Sequence, residues 1–202
     1  MKVGAADETQ SMTQPRAIAY TGYPGAGKTE AATFGEQWIG GEHVSMGDVV
    51  KEIAYDKLGE DATSHEIGHW ATVSRYIGGP AVMANRVIEW WDEHGYPEEP
   101  VHIEGIRAIE ELYVFEVVFG YIPVIFVDAD PDIRLQRLQQ RGRDGEDRFG
   151  KVDLIERDIR EAEWGLRKLE HLSDHPVEND LDYGALKNRI GMKLIVLGYD
   201  LQ

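Results

Sequence analysis

Gly22-Tyr23-Pro24-Gly25-Ala26-Gly27-Lys28-Thr29 fits the phosphate-binding pattern G-x-x-x-x-G-K-[ST] at every fixed position. Its flanks fit as well. Ala17-Ile18-Ala19-Tyr20-Thr21 is an apolar run of strand length, and Glu30 to Trp38 continues with helical composition. In the order strand, glycine-rich turn, helix, backbone N–H groups wrap phosphates and the helix amino end adds partial positive charge. Gly22, Gly25, Ala26 and Gly27 then form the cradle, Lys28 reaches the β- and γ-phosphates, and Thr29 offers its hydroxyl to Mg²⁺. The alternative is a glycine-rich turn with a chance lysine, and the flanks argue against it.

Outward from this loop, strand and helix signals alternate. Gly40-Gly41 ends the first helix, Glu42 to Met46 is strand-like, and a helix runs from Gly47 to Leu58. Residues 59–98 read as two helical pieces split at Gly78-Gly79-Pro80. Pro100 to Glu104 is a strand, followed by a helix to Phe119. Tyr121 to Val127 is the clearest buried strand. Pro131 opens a helix with Asp130 as its N-cap. Gly142 to Gly150 is a charged loop, and a long helix capped by Asp153 runs to Leu172. His175 to Glu178 is a last strand, with a helix from Asp182; Met192 to Leu197 is compatible with helix or strand. The alternation predicts an α/β fold with a parallel sheet covered on both faces.

The 202 residues suffice for one core, so a single domain over 16–202 is expected, behind a polar tail over 1–15 that is expected to be disordered. That tail lacks the apolar core of a signal peptide, and no apolar run is long enough to span a membrane. Cysteine is absent, which excludes disulfides and thiolate metal sites. A cytoplasmic protein is the simplest expectation. With 37 acidic against 21 basic residues the net charge is −16, which argues against a nucleic-acid partner. It also requires that any polyphosphate be held by positive charge focused in one cleft. The acidic excess fits either an ordinary acidic protein or adaptation to high salt.

Strand ends supply the candidate chemistry, since parallel sheets bind ligands at the carboxyl ends of their strands. Asp48, just after the second strand, reads as a base for an attacking hydroxyl or an outer ligand of Mg²⁺; the other reading is a helix N-cap. Glu104 ends the third strand, where an acid orients Mg²⁺ or its water. Arg107 lies three residues on and presents a fork suited to phosphate oxygens. Arg137, Arg141, Arg143 and Arg148 surround the charged loop, which reads as a lid over 141–152; the other reading is a solvated helix end. Arg157, on the next helix, points into the cleft or pairs with acids. A rival signature, His65-Glu66-Ile67-Gly68-His69, matches H-E-x-x-H and suggests a zinc hydrolase with Glu66 as base and Glu89 as a further ligand. Gly68 weakens the helix that this spacing needs.

Taken together, these residues resemble an archaeal P-loop family related to dephospho-CoA kinase and adenylate kinase. The resemblance covers roughly 16–180 and rests on the opening loop, Met46-Gly47-Asp48-Val49-Val50, Arg75 with Gly78-Gly79-Pro80, and Glu104-Gly105-Ile106-Arg107. It extends to Arg141-Gly142-Arg143-Asp144, Glu156-Arg157-Asp158 and Glu178-Asn179-Asp180. It implies a three-layer fold of the nucleoside monophosphate kinase type, with a five-stranded parallel sheet, a helical acceptor-binding insert over 59–98 and a short lid. It implies that Arg75 and Arg86 meet an acceptor phosphate, that Arg141 and Arg143 belong to the lid, and that Asn179 lies near the adenine. Two departures stand out. The family pattern has Asp-Gly where this chain has Glu104-Gly105, so the longer carboxylate would reach metal through water. Trp164 to His175 departs from the family's more glycine-rich pattern. The resulting expectation is phosphoryl transfer from ATP (or GTP) with Mg²⁺ to a nucleoside monophosphate or dephospho-CoA. Lys28, Asp48, Arg107 and Arg143 would be catalytic, and Asp48 would also face the acceptor. The alternative is a nucleotide-binding switch or ATPase without a small acceptor.

Overall fold

The structure is a computed structural model that describes residues 14–202, so nearly all of the expected tail over 1–15 lies outside the described residues. Five parallel strands, β1 (Ala17–Thr21), β2 (Glu42–Ser45), β3 (Val101–Glu104), β4 (Val124–Asp128) and β5 (His175–Glu178), lie in the order β2-β3-β1-β4-β5. The helices are α1 (Lys28–Ile39), α2 (Met46–Leu58), α3 (Ser64–Gly78), α4 (Val82–His94), α5 (Ile109–Phe119), α6 (Pro131–Arg141), α7 (Lys151–Trp164), α8 (Leu166–Leu172) and α9 (Tyr183–Val196).

Every residue of β1 is buried, because successive side chains enter opposite layers. Ala17 and Ala19 join the cluster with Met83, Val87, Trp91 and Phe115, beneath α4 and α5. Ile18 and Tyr20 join Phe34, Ile190 and Leu194, beneath α1 and α9. This is the three-layer fold expected, and β1 lies at its centre, between β3 and β4. The loop after β1 therefore opens at the point where strand order diverges, the place where such sheets bind ligands.

Several boundaries differ from expectation. The helix expected over 153–172 is two helices, α7 and α8, broken at Gly165. That residue has φ +124°, and a Cβ there would lie 3.3 Å from Ala108. Asp153 is not the cap of α7. It sits in the first turn and accepts a hydrogen bond from the Gly150 N–H. The charged segment after α6 winds into a 3₁₀ turn, Arg143–Arg148, instead of an open loop. Met192 to Val196 completes α9 as helix. Gly68 lies within α3 and does not break it. The Thr63–Glu66 capping box and packing of Ala71 and Ser74 offset a glycine cost of about 1 kcal/mol. Among the described residues, no helix is long and apolar enough to cross a membrane.

One buried polar chain crosses the second layer. His102 Nε2 lies 2.9 Å from the Gly40 carbonyl, and its Nδ1 lies 3.1 Å from the Tyr20 hydroxyl. A carbonyl only accepts, so Nε2 carries the proton and Nδ1 accepts from Tyr20. The ring is therefore neutral, and burial pushes its pKa down to about 4. A histidine whose folded pKa is depressed keeps its contribution above pH 6.5 and loses it as pH falls towards 4. We expect about 3 kcal/mol of stability to disappear across that window. Urea midpoints at pH 7 and pH 4.5 check this: His102→Gln should flatten the difference, and an equal acid loss in that variant would contradict the assignment.

Candidate functional site

The phosphate loop owes its shape to groups behind it. At Gly22 (φ +142°) a Cβ would meet the Val127 carbonyl at 2.0 Å, and at Gly27 (φ +102°) it would meet the Asn179 amide at 2.4 Å. Only glycine allows both the dihedrals and the approach. Asn179, buried, donates from Nδ2 to the Ala26 carbonyl at 2.7 Å. Arg134, also buried, donates to the Pro24 carbonyl and grips Asp158 of α7 with two hydrogen bonds of 2.9 and 2.7 Å. A cleft of about 400 Å³ opens beside the loop, lined by Gly25, Gly27, Lys28, Thr29, Arg141 and Arg143, with Asn179 at its edge.

Lys28 donates to the Tyr23 carbonyl at 3.0 Å. Burial pushes its pKa down to about 8; Glu161 and Glu104 oppose this, while Arg107 and Arg157 reinforce it. The ammonium thus carries an electrostatic cost in the free protein that an incoming anion removes. Glu104, at the end of β3, pairs in register with Tyr20 of β1 and Ser45 of β2. It is 8% exposed, and its Oε2 is buried without a hydrogen-bond partner among the described residues. Its Oε1 lies 4.0 Å from His43 Nε2. An orphaned carboxylate oxygen that acts electrostatically on Lys28 is a hard ligand of the type that suits Mg²⁺.

Asp48 stands exposed in the first turn of α2, at the same edge of the sheet. It is not the N-cap: Ser45 is, and its hydroxyl accepts from the Asp48 N–H at 3.3 Å. The Asp48 carboxylate is thereby free of the capping role.

A group of arginines gathers around Trp164 and Glu161. Arg107 donates to the Gly105 carbonyl, and its Nε lies 3.4 Å from Glu161. Arg75 forms a 2.7 Å ion pair with Glu111 and lies 4.6 Å over the Trp164 ring, which Arg107 and Arg160 also approach, at 5.7 and 5.6 Å. Arg157 donates to Glu146 at 2.8 Å and lies 3.4 Å from Glu161. Arg141 pairs with the same Glu146. Burial acts to raise the pKa of Glu146, but the two arginines hold it below the usual carboxylate range. Arg86 is elsewhere: it lies 4.7 Å over Trp70 and donates to Ser74, outside the group around Trp164.

The H-E-x-x-H residues begin α3. Glu66 accepts hydrogen bonds from the Thr63 N–H and hydroxyl, so its carboxylate serves the helix cap. His65 and His69 are exposed beside a cavity of about 700 Å³ with Leu58, Trp70 and Val73. Among the described residues, no group of three or more His, Asp or Glu side chains is placed to hold a metal ion. The pattern is a helix start.

Sequence reading passed over Arg134, Glu111, Glu146 and Glu161, all buried. A signal for Glu161 existed: Arg157, Glu161 and Trp164 recur at spacings of four and three, which is one helix face.

No family model matches the chain. The UPF0200 protein of Thermoplasma volcanium is 33% identical over 163 residues, covering 81% of this chain and 87% of that protein. The UPF0200 protein of Pyrobaculum aerophilum is 33% identical over 182 residues, covering 89% and 97%. A UPF0200/UPF0201 protein of Archaeoglobus fulgidus is 32% identical over 192 residues; they make up 93% of this chain, which spans 57% of that relative's length. Among solved structures, a shikimate kinase from Bacteroides thetaiotaomicron superposes with TM-score 0.61 at 18% identity, covering 91% of this chain and 99% of that one. A gluconokinase from Sinorhizobium meliloti superposes with TM-score 0.56 at 15% identity, covering 91% and 94%. At such identities the likeness is one of fold.

Proposed function

This chain belongs to the UPF0200 family, and from that premise we propose that it is a phosphotransferase. It moves the γ-phosphoryl group of Mg·ATP, or Mg·GTP, to a small acceptor that already carries phosphate. The observation that carries the reading is the half-buried Lys28 ammonium beside a glycine cradle, within electrostatic reach of Glu104, Arg107 and Arg157. Phosphoryl transfer is mostly positioning and charge stabilisation, and these are the groups it needs.

In this reading, Lys28 and the loop's backbone N–H groups, Pro24 having none, hold the donor phosphates. Thr29 and Glu104, the latter through water, would hold Mg²⁺, which when bound would supply neutralising charge for the phosphate oxygens. Arg141 and Arg143 cover the donor as a lid over 141–152, and Asn179 keeps the loop in shape at the base end. Residues 59–98 form the acceptor side. Asp48 orients the attacking oxygen; it need not take a proton if that oxygen belongs to an ionised phosphate. Arg107 and Arg143 neutralise the charge that develops on the group in transit. A nucleoside monophosphate and dephospho-CoA are the two acceptors that this arrangement suits, in line with the resemblance to adenylate and dephospho-CoA kinases.

Labelled ATP with a panel of nucleoside monophosphates and dephospho-CoA tests the reading. Transfer to one of them is expected, and Glu104→Gln should lower it by about 10- to 100-fold while raising the Mg²⁺ requirement. Hydrolysis that ignores every acceptor would instead favour an ATPase or switch.

A further inference from the structure

Glu161 is a buried carboxylate for which the scheme above has no task. It projects from α7, is 3% exposed, and stands among cations from three elements. Burial acts to raise its pKa, yet Arg107, Arg157 and Lys28 hold it below the usual range, so it is ionised.

Its geometry is specific. Oε2 lies 3.4 Å from Nε of Arg107, and Oε1 lies 3.4 Å from Nε of Arg157. The two arginines come from distant parts of the chain, one from the loop after β3 and one from α7. Arg157 is held at Nε by a hydrogen bond, Arg107 at Nε by an ion-pair contact without one, and each spends Nη1 on a second acceptor, the Gly105 carbonyl for Arg107 and Glu146 for Arg157. Among the described residues, neither Nη2 has a hydrogen-bond partner. A guanidinium gripped at Nε keeps its outer edge for an incoming oxyanion. Trp164, one turn beyond Glu161 on α7, backs Arg107 and limits its swing.

We propose that Glu161 is a positioning residue that aims Arg107 and Arg157 together at the phosphoryl group in transit. This rests on the phosphotransferase reading above. A carboxylate so placed repels a bound triphosphate, so it weakens ground-state binding slightly. Its return comes when charge moves outward onto oxygens that two fixed arginines can meet. A purely structural carboxylate would repel the triphosphate too, but its removal would not weaken the transition state selectively.

The test compares wild type with Glu161→Gln by titration calorimetry, with Mg·ADP alone and with Mg·ADP plus aluminium fluoride as a mimic of the transferring group. The variant should bind Mg·ADP as tightly as wild type or slightly better. It should bind the fluoride complex about tenfold more weakly or worse, and hydrolyse Mg·ATP more slowly in proportion. Glu161→Asp keeps the charge but cannot span both Nε atoms, and it should show the same split with near-native thermal stability, which covers the case in which the glutamine variant folds poorly. Parallel loss of both affinities, or no loss of the fluoride complex, overturns the inference alone. A wild-type protein that binds neither ligand overturns the phosphotransferase reading as well.

Discussion

Lys28→Met should strongly weaken nucleotide binding while leaving the free protein as stable as wild type, or more so. The loss of a charge-assisted contact to phosphate should weaken Mg·ATP on the order of 100-fold. Stability moves the other way for an electrostatic reason. Burial holds the Lys28 pKa at about 8, so at neutral pH the folded chain keeps an ammonium that its surroundings disfavour. The full shift corresponds to about 3 kcal/mol, and partial solvent access reduces this to about 1–2 kcal/mol. Methionine removes that cost and forfeits one hydrogen bond to Tyr23, worth about 1 kcal/mol. The sign with pH follows. A lysine with depressed folded pKa carries its penalty below pH 8 and sheds it as pH rises towards 10.5. Bound phosphate restores the ammonium, so wild-type affinity should fall above pH 8, by up to about tenfold per pH unit. Thermal melts with and without Mg·ATP from pH 7 to 9.5 check both parts. A variant that melts far below wild type, or that keeps the nucleotide shift, contradicts the argument.

Arg75→Ala should cost about 3–5 kcal/mol, lowering the melting temperature by roughly 10 °C or more. Glu111 has no exposed surface, and Arg75 neutralises it across 2.7 Å. Glu111 also accepts from the Arg107 N–H at 2.8 Å, so losing its partner disturbs the loop that carries Arg107. The damage comes from a stranded charge, and removing both charges should undo most of it. Arg75→Met combined with Glu111→Leu should therefore recover most of the stability that Arg75→Ala loses. A double variant as unstable as the single one would mean that packing, and not charge, is at stake. The same pair complicates any kinetic use of Arg75→Ala: a raised acceptor KM counts for acceptor contact only beside a variant of equal instability that leaves Arg75 in place.

Legibility in the sequence tracked locality. The glycine loop could be read because every group it needs lies within eight residues. The strands could be read because a sheet covered on both faces demands short apolar runs between turn signals, and Ala17 to Thr21 and Val124 to Val127 satisfy that demand. Thr63 and Glu66 have the spacing of a capping box, and the same Glu66 lies between two imidazoles in metal-ligand spacing, so the local sequence fits both patterns. The break at Gly165 was not legible, since a single glycine in a charged stretch is tolerated in many helices; the chain breaks there because Ala108 presses against it. The burial of Glu111 and Glu161 was likewise decided by distant groups. Their burial depends on a cation from a distant part of the chain, Arg75 for Glu111 and Arg107 for Glu161, and no short window contains those pairs.

The order of residues alone thus determined the phosphate loop, the layered α/β plan and the strand-end positions of Glu104 and Asp48. Each depends on neighbours along the chain or on the twofold alternation of a strand. Tertiary structure alone decided which carboxylates face which arginines, that Arg86 keeps apart from Arg75, and that Lys28 sits in surroundings that disfavour its charge. Burial and Coulomb energy depend on distance in space, and α3, the loop after β3, and α7 come together only when the sheet has formed.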